Sequence, residues 1–167
     1  PDIVAVNGHV LRHGRHSPLR QHPLVFSAAT DGRFANVAQD AGDYFTGKHR
    51  GRGLATADFD QDGDEDLVIT HVREPTVVLR NDSAKAKSFL RLTLVGSGAD
   101  RRATGATVKV VSATGATIHS WLPSGESYFS QSDSRSTFHV PEADYPVRID
   151  VRWSREPAQS LQIDTPG

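Results

Sequence analysis

Between Arg148 and Trp153 the chain alternates strictly, with Ile149, Val151 and Trp153 on one side and Arg148, Asp150 and Arg152 on the other. Leu90, Leu92 and Leu94 repeat the arrangement, with Arg91 and Thr93 opposite. Side chains along a strand point to opposite faces in turn, so a period of two describes a sheet with one wet face. Segments of this kind fall at residues 3–6, 33–37, 54–57, 67–71, 77–80, 89–95, 107–112, 117–122, 127–130, 137–140, 147–153 and 160–163. Gly, Asp, Asn, Ser and Pro separate them, as expected of turns between short strands. No window sustains an apolar stripe at helical spacing. The expected fold is therefore all-β and antiparallel.

A weak repeat adds a second constraint. Asp2-Ile3-Val4-Ala5-Val6 echoes Asp66-Leu67-Val68-Ile69-Thr70, and the second copy follows a densely acidic loop. Repeated β units on this scale suggest propeller blades, and one unit with a remnant cannot close a ring. The polar stretch 81–88 is the expected boundary. It separates a partial β-propeller blade region (1–85) from a C-terminal antiparallel β-sandwich-like domain (86–167). A blade cut at its first strand would expose backbone groups through which another chain could assemble. Further blades upstream, in a longer parent protein, are the companion expectation.

With 167 residues and a hydrophobic share of 37%, the chain can build a packed core. No apolar run is long enough to span a bilayer. A net charge of −1 argues against a dedicated nucleic-acid surface. Cysteine is absent, which removes disulfides and thiolate chemistry. Methionine is absent too and the first residue is Pro1, which suggests a processed or truncated product of a longer precursor.

Acid is unevenly placed: six of the nine residues from Asp58 to Asp66 are Asp or Glu. In Asp58-Phe59-Asp60-Gln61-Asp62-Gly63-Asp64-Glu65-Asp66, carboxylates at alternate positions would converge on one ion if the chain curls. Gly63 would permit the turn, the Asp64 carbonyl would add an oxygen, and Asp66 would close the shell. Calcium takes six to eight such oxygens in flexible geometry, whereas magnesium demands stricter octahedra. An EF-hand would place Glu where Ile69 stands, so this loop should join two strands and not two helices. The competing reading is a solvated acidic turn without metal.

Ala29-Thr30-Asp31-Gly32-Arg33-Phe34, Arg52-Gly53-Leu54-Ala55-Thr56-Ala57 and the acidic loop resemble one FG-GAP/VCBS repeat of the integrin-type β-propeller, over about residues 24–81. That resemblance implies calcium held by Asp58, Asp60, Asp62 and Asp66. The remainder resembles the ASPIC/UnbV domain through Gly105-Ala106-Thr107-Val108-Lys109-Val110, Ser127-Tyr128-Phe129-Ser130-Gln131-Ser132-Asp133 and Val151-Arg152-Trp153. Such domains commonly follow these repeats in secreted proteins, so the expected location is secreted, periplasmic or at the cell surface. Two family turns, His-Phe-Gly-Leu-Gly and Trp-Pro-Ser-Gly, are replaced here by Phe138-His139-Val140-Pro141 and Trp153-Ser154-Arg155-Glu156.

Other features admit plain readings. His9, His13, His16 and His22 have spacings that would suit zinc on a helix, but Gly8, Gly14 and Pro18 favour a basic loop. Asn81-Asp82-Ser83 is a glycosylation triplet. Trp121 and Trp153 are expected in the core, and one of Tyr128 and Phe129 should face inward. There is no G-x-S-x-G elbow, H-E-x-x-H, P-loop or cysteine nucleophile. The sequence thus favours a non-catalytic calcium-binding module with an unidentified protein or glycan partner. The alternative is an enzyme or accessory factor in secondary metabolism, which the UnbV association suggests.

Overall fold

A computed structural model describes residues 2–10, 18–82 and 88–166. The protein is all-β, with several antiparallel sheets and none closed into a barrel. Twelve strands run through the described residues: β1 Ile3–Ala5, β2 Leu24–Ala28, β3 Phe34–Asn36, β4 Gly51–Ala57, β5 Asp66–His71, β6 Val77–Leu79, β7 Phe89–Leu92, β8 Thr107–Val111, β9 Thr117–Trp121, β10 Ser136–His139, β11 Val147–Arg152 and β12 Gln159–Ile163. One helical turn, α1 (Asp43–Thr46), precedes β4, and a 3-10 turn spans Glu142–Asp144.

The chain divides into two compact units that interleave along the sequence. The first holds Pro1–Thr56, Leu67–Leu79 and Ser127–Gln131; the second holds Ala57–Asp66, Arg80–Glu126 and Ser132–Gly167. The acidic loop thus groups with the second unit.

In the first unit, β1-β2-β3 and β4-β5-β6 form two three-stranded sheets. Val25, Ala38 and Phe45 are buried at its centre, with Val4, Val37, Leu67 and Leu79 packed against them. Ile69 is fully buried in the middle of β5, as its place in an apolar strand predicts. Ser130 is tied here by its hydroxyl, which donates to the Leu54 carbonyl at 2.7 Å.

The second unit stacks a four-stranded sheet, β12-β11-β8-β9, and a two-stranded one, β10-β7, around one core. Val108, Val110, Val147 and Ile149 from the larger sheet meet Phe138 from β10, with Leu90 and Leu92 of β7 packed alongside. Ile149 lies opposite Val110, and Val151 opposite Val108. Cross-strand pairs of this kind set the register by putting all the apolar side chains on one face. The alternation of residues 148–153 and 90–94 therefore has its expected consequence: Val151, Trp153 and Leu94 join the same core.

Several expectations fail locally. Residues 127–130 form no strand but a tight turn closed by a bridge between Ser127 and Ser130. Phe129 there has a φ of 48°, outside the extended region a strand needs. Neither aromatic of the pair turns inward: Tyr128 and Phe129 are 62% and 92% exposed and meet edge to face. Trp121 is likewise exposed, because it ends β9 at the edge of its sheet. Strand β2 lies outside the segments expected from sequence, because Leu24-Val25-Phe26 is a short apolar run without polar alternation.

Candidate metal centre

The loop between β4 and β5 is closed by its own carboxylates. Asp58 and Asp66 are buried at either end. One Asp58 oxygen, Oδ2, accepts the Gly63 amide at 2.9 Å, which folds the loop back on itself. Gly63 has a φ of 99°, a conformation that a side chain would strain. Its missing Cβ also leaves room for the Phe89 ring, which such an atom would meet at 2.5 Å. Asp66 uses both oxygens, taking the Phe59 amide at 2.9 Å and the Asn81 amide at 2.8 Å.

Of the five aspartates singled out from sequence, three come together. Asp58, Asp60 and Asp66 each present an oxygen within 4.8 Å of the other two. Asp62 is exposed and spends its Oδ1 on the Asp64 amide at 2.9 Å. The Asp64 side chain is buried and points its Oδ1 to within 3.6 Å of His139 Nε2.

An unforeseen residue enters this group. Arg91, on the polar side of β7, forms an ion pair with Asp58 Oδ2. Its guanidinium also lies 5.2 Å from the centre of the Phe89 ring. The sequence signal was a lone Arg between Leu90 and Leu92, which reads as an ordinary solvated position. Nearby, Arg80 is held above its ordinary value, first by its hydrogen bond to Asp82 and that group's charge, and more weakly by Asp60 and Asp62.

The donor set suits a hard cation. Asp58 Oδ1 is buried and, among the described residues, has no hydrogen-bond partner; the same holds for Asp64 Oδ2. A buried carboxylate oxygen left without a donor is costly unless a cation satisfies it. Asp58, Asp60 and Asp66 would hold a calcium ion, which would neutralise their mutual repulsion and fix the loop.

Among the described residues, the histidines singled out from sequence form no metal-ligating group. His13 and His16 lie outside the described residues, while His9 and His22 offer backbone carbonyls to Arg52 and Asn7. A different group does gather: His49, His71 and Glu74 present ligand atoms within 4.8 Å of one another. The spacing His71-Val72-Arg73-Glu74 was the available signal. In the second unit, Gly105, Thr107, Arg152, Trp153 and Ser154 line a shallow pocket.

Residues 96–165 match the model of the ASPIC and UnbV family, so an ASPIC/UnbV domain is present. Gly105–Ser154 residues of the shallow pocket all fall inside that match, whereas the acidic loop and the His49 group fall outside it. The comparisons give no support to an FG-GAP/VCBS repeat in the preceding residues. No curated protein matches the chain. Among the described residues, no helix is long and apolar enough to cross a membrane.

Proposed function

We propose that this chain is a non-catalytic, calcium-binding interaction or structural module that works outside the cytoplasm, joining an FG-GAP/VCBS-like blade region to an ASPIC/UnbV domain. The observation that carries this reading is the convergence of Asp58, Asp60 and Asp66 around the partnerless Asp58 Oδ1. Calcium would fix the β4–β5 loop, and the exposed aromatics Tyr128 and Phe129 would meet a protein or glycan partner. The outer edge of β1, which among the described residues pairs through β2, is the place for assembly with another chain.

Calorimetric titration of calcium tests the central claim. Asp60→Ala is expected to weaken binding by roughly tenfold or more, because affinity in such loops follows ligand charge. Glu65→Ala, which removes an exposed acid outside the cluster, is expected to change it little. Absence of binding by the wild-type chain, or equal losses in the two variants, would overturn the reading.

A further inference from the structure

We propose that His49, His71 and Glu74 form a second metal site, specific for a zinc-type transition-metal cation and independent of the acidic loop. All three side chains are half-buried and belong to the first unit. His49 stands just before β4, His71 ends β5, and Glu74 follows in the turn to β6. Arg73 adopts a φ of 60° in that turn, which brings Glu74 back toward His71.

The decisive feature is how the two imidazoles are held. His49 Nε2 lies 3.1 Å from the Tyr44 carbonyl, an acceptor only, so this nitrogen carries a proton and donates it. His71 Nδ1 lies 2.8 Å from the Pro75 carbonyl and must donate in the same way. Each ring is therefore anchored through one N–H to a backbone carbonyl, while the other nitrogen meets Glu74 Oε2 in His49 and the Tyr44 hydroxyl in His71. Metal-binding histidines are oriented by this kind of outer-shell bond, which fixes the tautomer and aims the lone pair.

Geometry within the group is close to what zinc requires. His49 Nδ1 lies 3.1 Å from Glu74 Oε2. Adjacent ligand atoms in a tetrahedral zinc site are about 3.3 Å apart, given bonds of roughly 2.0–2.1 Å. His71 Nε2 must approach by small side-chain rotation and release the Tyr44 hydroxyl, which donates to it at 2.8 Å. Two imidazoles and a carboxylate suit zinc better than calcium, and three protein ligands leave a fourth position for water.

The surroundings accept a cation. The Tyr44 ring stacks on His49 with centroids 4.3 Å apart, which holds the plane of that imidazole. Arg20 lies 3.0 Å from Glu74 Oε1, leaving Oε2 as the oxygen that faces the histidines. Gly47 is needed where His49 packs: a Cβ there would stand 2.8 Å from His49 Nε2. Without metal, the facing pair makes a hydrogen bond in which His49 Nδ1 donates to Glu74. Zinc would take the place of that proton, so uptake should release protons.

The test is zinc titration of the full chain against a chromophoric chelator, near neutral pH, with calcium in excess to occupy the acidic loop. One equivalent of zinc should bind, and His71→Gln and Glu74→Gln should each weaken it at least tenfold, while Asp60→Ala leaves it unchanged. Cobalt added to the wild-type chain should give a visible ligand-field band of a four- or five-coordinate ion, a readout that needs no variant to fold. Failure to bind zinc stoichiometrically would overturn the proposal, as would undiminished affinity in His71→Gln and Glu74→Gln. In that event the cluster is only a hydrogen-bonded strut.

Discussion

Arg91 and Asp58 show how much can rest on one pair. Their side chains are 17% and 4% exposed, so each is the other's main compensation for lost water. Removing one partner of such a pair leaves a buried charge uncompensated, at a cost of about 3–5 kcal/mol. Arg91→Met is therefore expected to lower unfolding free energy in chelator by about 3 kcal/mol, read from urea curves. The same change removes a cation that competes for Asp58, so calcium affinity should rise. Glu74 supports a pH prediction. Burial pushes its carboxyl up, but the hydrogen bond from His49, the charges of Arg20 and His49, and the Arg50 amide together hold it below its ordinary value. A depressed carboxylate contributes stability above its unfolded value, and that contribution is lost as pH falls through the folded one. Melting temperatures should thus decline on acidification below about 4.5 more steeply in the wild-type chain than in Glu74→Gln.

At the level of elements, the repeat seen in sequence has a structural counterpart. Ile3 pairs with Phe26 and Leu67 with Leu79. The preceding acid then accepts the amide two residues beyond that partner: Asp2 from Ala28 at 3.3 Å, Asp66 from Asn81 at 2.8 Å. One acid at a strand start therefore clamps the end of the next strand in both copies. The copies differ in burial, and that sets their expected contributions. Asp66 is buried with two amide donors, so Asp66→Ala in chelator should cost about 2–4 kcal/mol by urea unfolding. Asp2 is exposed with one long bond, and Asp2→Ala should cost less than about 1 kcal/mol. Eleven of the twelve described strands were legible as short β-type segments between turn residues, with alternation clearest at 148–153 and 90–94. The acidic loop was legible as well, since its acids are adjacent in sequence. Arg91 was not, because a polar residue between two leucines looks the same whether it meets water or Asp58. The His49 cluster escaped for a similar reason: its members become neighbours only through β5 and the turn after it. Tyr128 and Phe129 misled because alternation says nothing of a positive φ at Phe129.

For the whole molecule, calcium should act as a stabiliser of the native state alone. At a free concentration ~100-fold above Kd, binding adds about 2.7 kcal/mol. Melting curves with excess calcium and with chelator are expected to separate, and Asp60→Ala should bring them together. Superimposable wild-type curves would contradict this.

The interleaving of the two units bears on synthesis. Domains generally fold as the chain emerges, the N-terminal one first. Here the first unit is not complete until Ser127–Gln131 appears, and Arg80–Glu126 of the second unit must be made before it. At roughly 5–20 residues per second that interval lasts about 2–9 s. For those seconds the Leu54 carbonyl waits for the hydroxyl of Ser130. The order in which the ribosome delivers this chain is thus at odds with the order in which its pieces close. Such a nascent chain is exposed to wrong pairings that a contiguous two-domain protein would escape.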